Sequence, residues 1–323
     1  MSLILGVHLL ERICLISDTR ASSIDGSTHS DDLIKAFKLN DKISAVAAGD
    51  GLAASYCLNR LKALTNEDTT ADQLVEMINN HLKIIISEYV NKTGRYGNVV
   101  IIFAAFNKES KKLIEASLLG KALSAGVIKH QGKTVNQKVD KRLLNAFGQL
   151  AGKGKGDYIS VDNVQDSRLF SLTVDLRACT VSNIINAECY QYAMYYPPHK
   201  SSEVIELPEE IISLLEFRAK NINMTGEDII YEDSEILMSF VNNIIKKNNF
   251  TNVGGNLLTL IQFPVGAIFP TGDIGAIRNG VAVKIGRFYV SNGKMMYELE
   301  DGTTGEYRHL ENLSDLDLKD MMI

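Results

Sequence analysis

The chain has 323 residues and a mass of 35.6 kDa, a length that suits one large domain with insertions or two ordinary ones. With 45 % hydrophobic and 23 % charged residues and only 5 Pro and 4 Cys, it can bury a core, which excludes wholesale disorder, collagen-like repeats and disulfide scaffolds. A net charge of −5 argues against a surface devoted to nucleic acid or anionic lipid.

The start, from Met1 to Leu10, is apolar but has no basic leader, and Glu11 and Arg12 interrupt it. It therefore reads as neither a signal peptide nor a membrane span. No later run reaches the ~18 uninterrupted apolar residues that a span needs. Cys14, Cys57, Cys179 and Cys189 lack CxxC spacing and sit in apolar stretches, as buried reduced thiols do. A cytoplasmic protein is expected.

Leu3 to Leu9 and Arg12 to Ser17 read as two β-runs joined at Leu10-Glu11. Lys35 to Asn40 and Lys42 to Ala48 read as a hairpin with Asn40-Asp41 at its tip. Gly49-Asp50-Gly51 opens a helix, with Leu52, Ala53, Tyr56, Leu58, Leu61 and Leu64 at helical spacing. Thr70-Ala71-Asp72-Gln73 has the form of a capping start for a second helix. Val99 to Phe106 is almost unbroken in its apolar character and predicts a strand buried on both faces.

From Lys108 to Ser167 the pattern weakens. Strand character returns at Arg168 to Val174 and at Ala178 to Ile185. A polar stretch from Pro197 to Ser234 contains a short helix near Glu209 to Arg218. Glu235 to Lys247 has helical spacing, and Asn256 to Phe263 is a buried strand announced by Gly254-Gly255. The last sixty or so residues are β-rich, with turns at Asn279-Gly280, Asn292-Gly293 and Asp301-Gly302, and end in an acidic tail.

This order predicts an α+β protein of two stacked sheets with helices outside. The residues Ser2-Leu3-Ile4-Leu5-Gly6-Val7 followed by Ser17-Asp18-Thr19-Arg20-Ala21-Ser22 resemble the start of a proteasome β-type subunit, an N-terminal-nucleophile (Ntn) hydrolase. Lys35-Ala36-Phe37-Lys38-Leu39-Asn40, Ala47-Ala48-Gly49-Asp50-Gly51 and Val253-Gly254-Gly255-Asn256-Leu257-Leu258 are similar to later family motifs in the same order. The resemblance implies a four-layer αββα sandwich of mainly antiparallel sheets over residues 1–263, with insertions at about 108–167 and 197–234. Residues 264–323 have no counterpart in it and form a C-terminal extension.

The resemblance also implies a site. Ser2, freed by loss of Met1, would supply the attacking hydroxyl. Its own α-amine, with an ordinary pKa of ~7.7–8.0, would be the base. Lys35 would activate the hydroxyl, Asp18 would hold Lys35, and Gly49 would present a backbone N–H to the oxyanion. Arg20 belongs to the same turn as Asp18. The chain departs from the family where Phe250 and Val253 replace an Asp and a Ser that position the amine. Glu188, Thr251 and Asn252 are the candidates to take over that task. The implied substrate is a peptide or other amide, and the implied state is a homo-oligomer; an activating ATPase is left unidentified. No cofactor is implied.

Each residue also has a plainer reading. Met-Ser is an ordinary start, Asp18 an ordinary turn residue, Lys35 a solvated edge charge and Gly49 a turn glycine; their joint spacing argues against four coincidences. An alternative function is a non-catalytic relative that keeps the fold for assembly or partner binding. The six histidines lack metal-ligand spacing, so no metal is expected. Gly152-Lys153-Gly154-Lys155-Gly156 lacks the preceding strand and the Lys-Ser/Thr end of a phosphate loop and reads as a loop. The basic residues from Lys129 to Lys155 read as a solvated face; with only Phe147 to stack on bases, nucleic acid is not expected as a partner.

Overall fold

The structure, a computed structural model, describes residues 2–9, 12–22, 29–107, 167–182, 184–196, 202–220, 236–241, 243–245, 247–248, 255–263, 266–268, 272–278, 281–291 and 294–313. Its first half runs β1 (Ile4–His8), β2 (Ile13–Asp18), the short strands β3 (Ala21–Ser22), β4 (His29–Ser30) and β5 (Leu33–Ile34), then β6 (Ala36–Lys38) and β7 (Ile43–Gly49). Helix α1 (Gly51–Leu64) leads to α2 (Ala71–Met77), which continues through a π-turn into α3 (Lys83–Thr93), and β8 (Asn98–Phe106) follows. The second half holds β9 (Ser167–Asp175), β10 (Thr180–Val181), β11 (Ile185–Ala187), β12 (Gln191–Tyr195), β13 (Glu203–Glu206) and α4 (Glu209–Lys220). The last strands are β14 (Leu257–Phe263), β15 (Gly266–Ile268), β16 (Gly272–Arg278), β17 (Val281–Ser291), β18 (Lys294–Leu299), β19 (Thr304–Glu306) and β20 (Arg308–His309).

The protein is α+β, and two six-stranded sheets dominate it. The first has the order β13-β12-β1-β2-β14-β15; the second runs β10-β9-β8-β7-β6, with β11 also on β9. All pairings within them are antiparallel. A four-stranded sheet, β16-β17-β18-β19, is built from the C-terminal segment.

The continuous apolar runs are explained by burial of both faces. Along β8, Val100, Ile102, Ala104 and Phe106 meet Ile4, Ile13 and Leu15 of the first sheet in one core cluster. Val99, Ile101, Phe103 and Ala105, on the opposite face, pack with Leu58 and Leu61 of α1 and Ile85 and Ile86 of α3. β1 repeats the pattern, with Ile4 turned to the second sheet. Leu3, Leu5 and Val7 pack instead with Leu215 of α4 and with Leu237 and Val241 of a helical stretch over residues 236–241. Period-two side-chain geometry thus turns one apolar string into two packed surfaces.

The start signals of the helices are realised at the predicted residues. Asp50 caps α1, accepting from Leu52 N at 3.1 Å and Ala53 N at 3.0 Å. Thr70 and Gln73 form a reciprocal capping box on α2.

Two readings differ. The strand expected over Ala178 to Ile185 is broken, because the Asp175 carboxylate accepts from Arg177 N and Ala178 N and turns the chain back on β9. Within the stretch taken as a second insertion, residues 203–206 form edge strand β13, and α4 packs under the first sheet. The turn at Asp301-Gly302 is present, with Gly302 at φ 84°, whereas Asn279-Gly280, Asn292-Gly293, Leu10-Glu11 and the basic stretch lie outside the described residues.

The C-terminal segment is part of the core. Met295 and Tyr307 join the cluster between the sheets, and Leu310 joins the α1 cluster. β20 pairs in parallel with β5, matching Arg308 to Leu33 and His309 to Ile34. Among the described residues, no helix is long and apolar enough to cross a membrane.

Candidate functional site

Ser2, two residues ahead of β1, Asp18, the last residue of β2, and Lys35, between β5 and β6, meet at one point. Lys35 Nζ donates to Ser2 Oγ at 2.8 Å and to Asp18 Oδ1 at 2.7 Å. Leu3 N donates to the same Asp18 oxygen at 2.9 Å, which ties the carboxylate to the start of β1. Asp18 Oδ2 is buried and has no hydrogen-bond partner.

The lysine and aspartate side chains are 4 % and 1 % exposed. Burial pushes Lys35 below the ordinary lysine range, against the pull of Asp18. Burial likewise pushes Asp18 upward, against the pull of Lys35. A buried pair of this kind is a poor source of stability, because desolvation offsets the attraction. Its chemical capacity is clearer: an ammonium donating to a hydroxyl oxygen stabilises negative charge that develops there, and a low-dielectric setting strengthens the effect.

Gly49 lies at the same end of the second sheet. Ala47 N donates to Lys35 O at 3.2 Å, and Gly49 follows two residues later with φ 98°. A Cβ there would stand 2.0 Å from Asn98 O, so both conformation and space require glycine. Asp50, next in the chain, also meets Arg95 Nε at 3.4 Å.

Arg20 is held by Asp31 through two hydrogen bonds, of 2.8 and 3.0 Å, so it braces the turn beside Asp18. Glu188 is exposed and sits at the far end of β1, where Tyr190 N donates to His8 O at 2.8 Å. At about 3.3 Å per strand residue it is roughly 20 Å from Ser2. Glu188 is therefore removed from the candidate group. Met1, Phe250, Thr251, Asn252 and Val253 lie outside the described residues.

Several residues at the site were not singled out from the sequence. Thr19 N donates to Asn256 O, and Asn256 N donates to Thr19 Oγ1, both at 2.8 Å. Thr19 Oγ1 in turn donates to Asp31 O at 2.8 Å. Gly255 makes this contact possible: at φ 73°, a Cβ would lie 2.6 Å from Thr19 Oγ1. The Gly-Gly signal marked the place but not the clamp that it serves.

No disulfide joins the four cysteines. Among the described residues, no group of His, Cys, Asp and Glu could hold a metal ion. No family model and no curated protein matches this chain.

Proposed function

We propose that this chain is a proteasome-like Ntn hydrolase of four-layer αββα architecture that cleaves peptide or other amide bonds. The observation that carries the reading is the chain of hydrogen bonds from the buried Asp18 through the buried Lys35 to Ser2 Oγ. Once the peptide bond before Ser2 is cut, as by removal of Met1, nucleophile and base share one residue. The α-amine takes the hydroxyl proton, Oγ attacks the carbonyl carbon, and the Lys35 charge stabilises the oxygen as it loses that proton. The backbone at Gly49 supplies the oxyanion donor. The leaving amine takes the proton from the α-ammonium, and water then hydrolyses the ester on Ser2. The three packed clusters, with helices on the outer face of each main sheet, support the sandwich assignment. We further propose a cytoplasmic protein that self-associates.

The test is covalent trapping. Protein beginning at Ser2 is treated with an epoxyketone or β-lactone, and the adduct is located by mass spectrometry. Labelling is expected at Ser2, absent in Ser2→Ala, and reduced by about 10²-fold or more in Lys35→Ala. Folded protein confirmed to start at Ser2 that takes up no label overturns the reading.

One observation favours a second reading, a non-catalytic relative used for assembly or partner binding. Glu188, a candidate to orient the amine, lies at the wrong end of β1. That reading predicts no label under any condition.

A further inference from the structure

The segment Tyr307–Leu310 bonds directly to the stretch that leads into Lys35 and, through Asn256, reaches Thr19 next to Asp18. On one side Arg308 N donates to Asp32 O at 2.8 Å. The Arg308 side chain closes a fork on the Asp32 carboxylate, Nε to Oδ2 at 2.9 Å and Nη2 to Oδ1 at 2.8 Å. Nη2 also donates to Ser30 Oγ at 2.7 Å. Asp32 is three residues ahead of Lys35, and the intervening Leu33 and Ile34 are the residues that pair with β20. On the other side Asn256 Nδ2 donates to the buried Tyr307 hydroxyl oxygen at 2.8 Å. Asn256 is the residue that clamps Thr19, next to Asp18.

The segment is itself anchored beyond the site. Leu310 is buried in the α1 cluster. Lys62 Nζ and Asn59 Nδ2, both of α1, donate to the Glu311 carboxylate and carbonyl at 3.1 Å each. The outside anchor matters most for the stretch that leads into Lys35, since β2 is already paired on both sides, with β1 and β14. β5 has only two residues, which alone is a weak hold.

We propose that Tyr307 and Arg308 are positioning residues that hold Lys35 in line with Ser2 Oγ and Asp18. They touch neither reacting atom. The proposal rests on the Ntn reading for its catalytic meaning, but its geometry can be tested without it.

The experiment compares the whole chain with Arg308→Ala, Arg308→Lys and Tyr307→Phe. Trace acetylation with acetic anhydride, read by mass spectrometry, reports access to each lysine amine. Lys35 and Lys42 are both buried, at 4 % and 7 % exposure, and Lys42 lies outside the gripped segment. Loosening of the latch raises the Lys35 rate by about tenfold or more in Arg308→Ala, the scale set by a lost charge-assisted fork, and leaves Lys42 unchanged. Arg308→Lys, which keeps the charge but not the fork, falls between. Tyr307→Phe shifts Lys35 in the same direction.

The Ser2 labelling rate is measured in parallel and is expected to fall by about tenfold or more in Arg308→Ala. Lys35 acetylation within about twofold of the parent in Arg308→Ala overturns the proposal. So does an equal rise at Lys42 and Lys35, which indicates general loosening. If Arg308→Ala does not fold, the Lys variant is judged by the same two limits. A Lys35 rate that rises in protein whose Ser2 never labels sustains the latch and rejects the hydrolase.

Discussion

Replacing Asp18 by Asn keeps its shape and leaves the Lys35 ammonium buried without a counter-charge. Removal of one partner from a buried ion pair typically costs about 3–5 kcal/mol, so Asp18→Asn is expected to lose stability on that scale in urea unfolding near neutral pH. The sign with pH follows from Lys35, whose folded pKa is held below the ordinary 10.5 by burial. Between that lowered value and 10.5 the unfolded chain binds more protons than the folded one, so stability rises with pH. In Asp18→Asn the opposing pull of the carboxylate is gone and the window widens downward, so the rise of stability with pH in urea unfolding sets in at a lower pH than in the parent. Lys35→Met combined with Asp18→Leu removes both charges and recovers most of the loss. A double variant no more stable than Asp18→Asn contradicts the electrostatic account. Ser2, Asp18 and Lys35 were singled out in the sequence through their resemblance to motifs of one family, in order along the chain. Burial of the pair was not, since a lysine opening a strand reads equally well as an edge charge.

The elements were legible where their signals are short-range. Both faces of β8 are buried, so its apolar run was unambiguous, and Asp50 and Thr70 announced their helices by type and position. β13 was missed because Glu203 and Glu206 bracket two apolar residues in an otherwise polar stretch. Edge strands carry such charges without losing their pairing. Glu188 was named only through the family resemblance, and the pairing of β12 with β1, which puts it beside His8 rather than Ser2, is a long-range contact that the sequence does not show. At α1 the cap and the site share a residue boundary: Gly49 ends β7 and Asp50 starts the helix. Asp50→Ala removes an acceptor for two helix N–H groups and the anion facing Arg95. It is expected to destabilise by about 1–2 kcal/mol, visible as a lower urea midpoint at unchanged slope, with Asp50→Ser recovering the capping part. An Asp50→Ala protein as stable as the parent removes the cap from the account of how Gly49 is held.

At the scale of the whole molecule, polar pins cross between the two main sheets, and sequence reading could not pair them because the partners are far apart in the chain. Ser44 of β7 donates to Gln262 of β14 across the sheets; outside them, the Arg308 fork likewise reaches back 276 residues to Asp32. His8 is the pin whose strength depends on pH. It lies on β1, 2 % exposed, and its ring nitrogens meet Ser167 Oγ at 2.8 Å and Ala187 O at 3.1 Å, both on the second sheet. A neutral ring satisfies both by donating to the carbonyl and accepting from the hydroxyl. Burial holds the His8 pKa below the ordinary 6.5, against the pull of the Ala187 and Glu188 backbone. Above pH 6.5 neither state binds the proton. Below it the unfolded chain takes one up while the folded chain does not, so stability falls with falling pH until the lowered folded pKa is reached. The slope contributed by one histidine is at most about 1.4 kcal/mol per pH unit. His309, also lowered by burial, adds the same sign, so the parent must be compared with His8→Gln. Urea unfolding between pH 7.5 and 5.5 is expected to show a shallower loss in the variant, the difference being the His8 contribution. Equal slopes in the two proteins mean that His8 is not held neutral in the fold and that the joint between the sheets does not respond to acid through it.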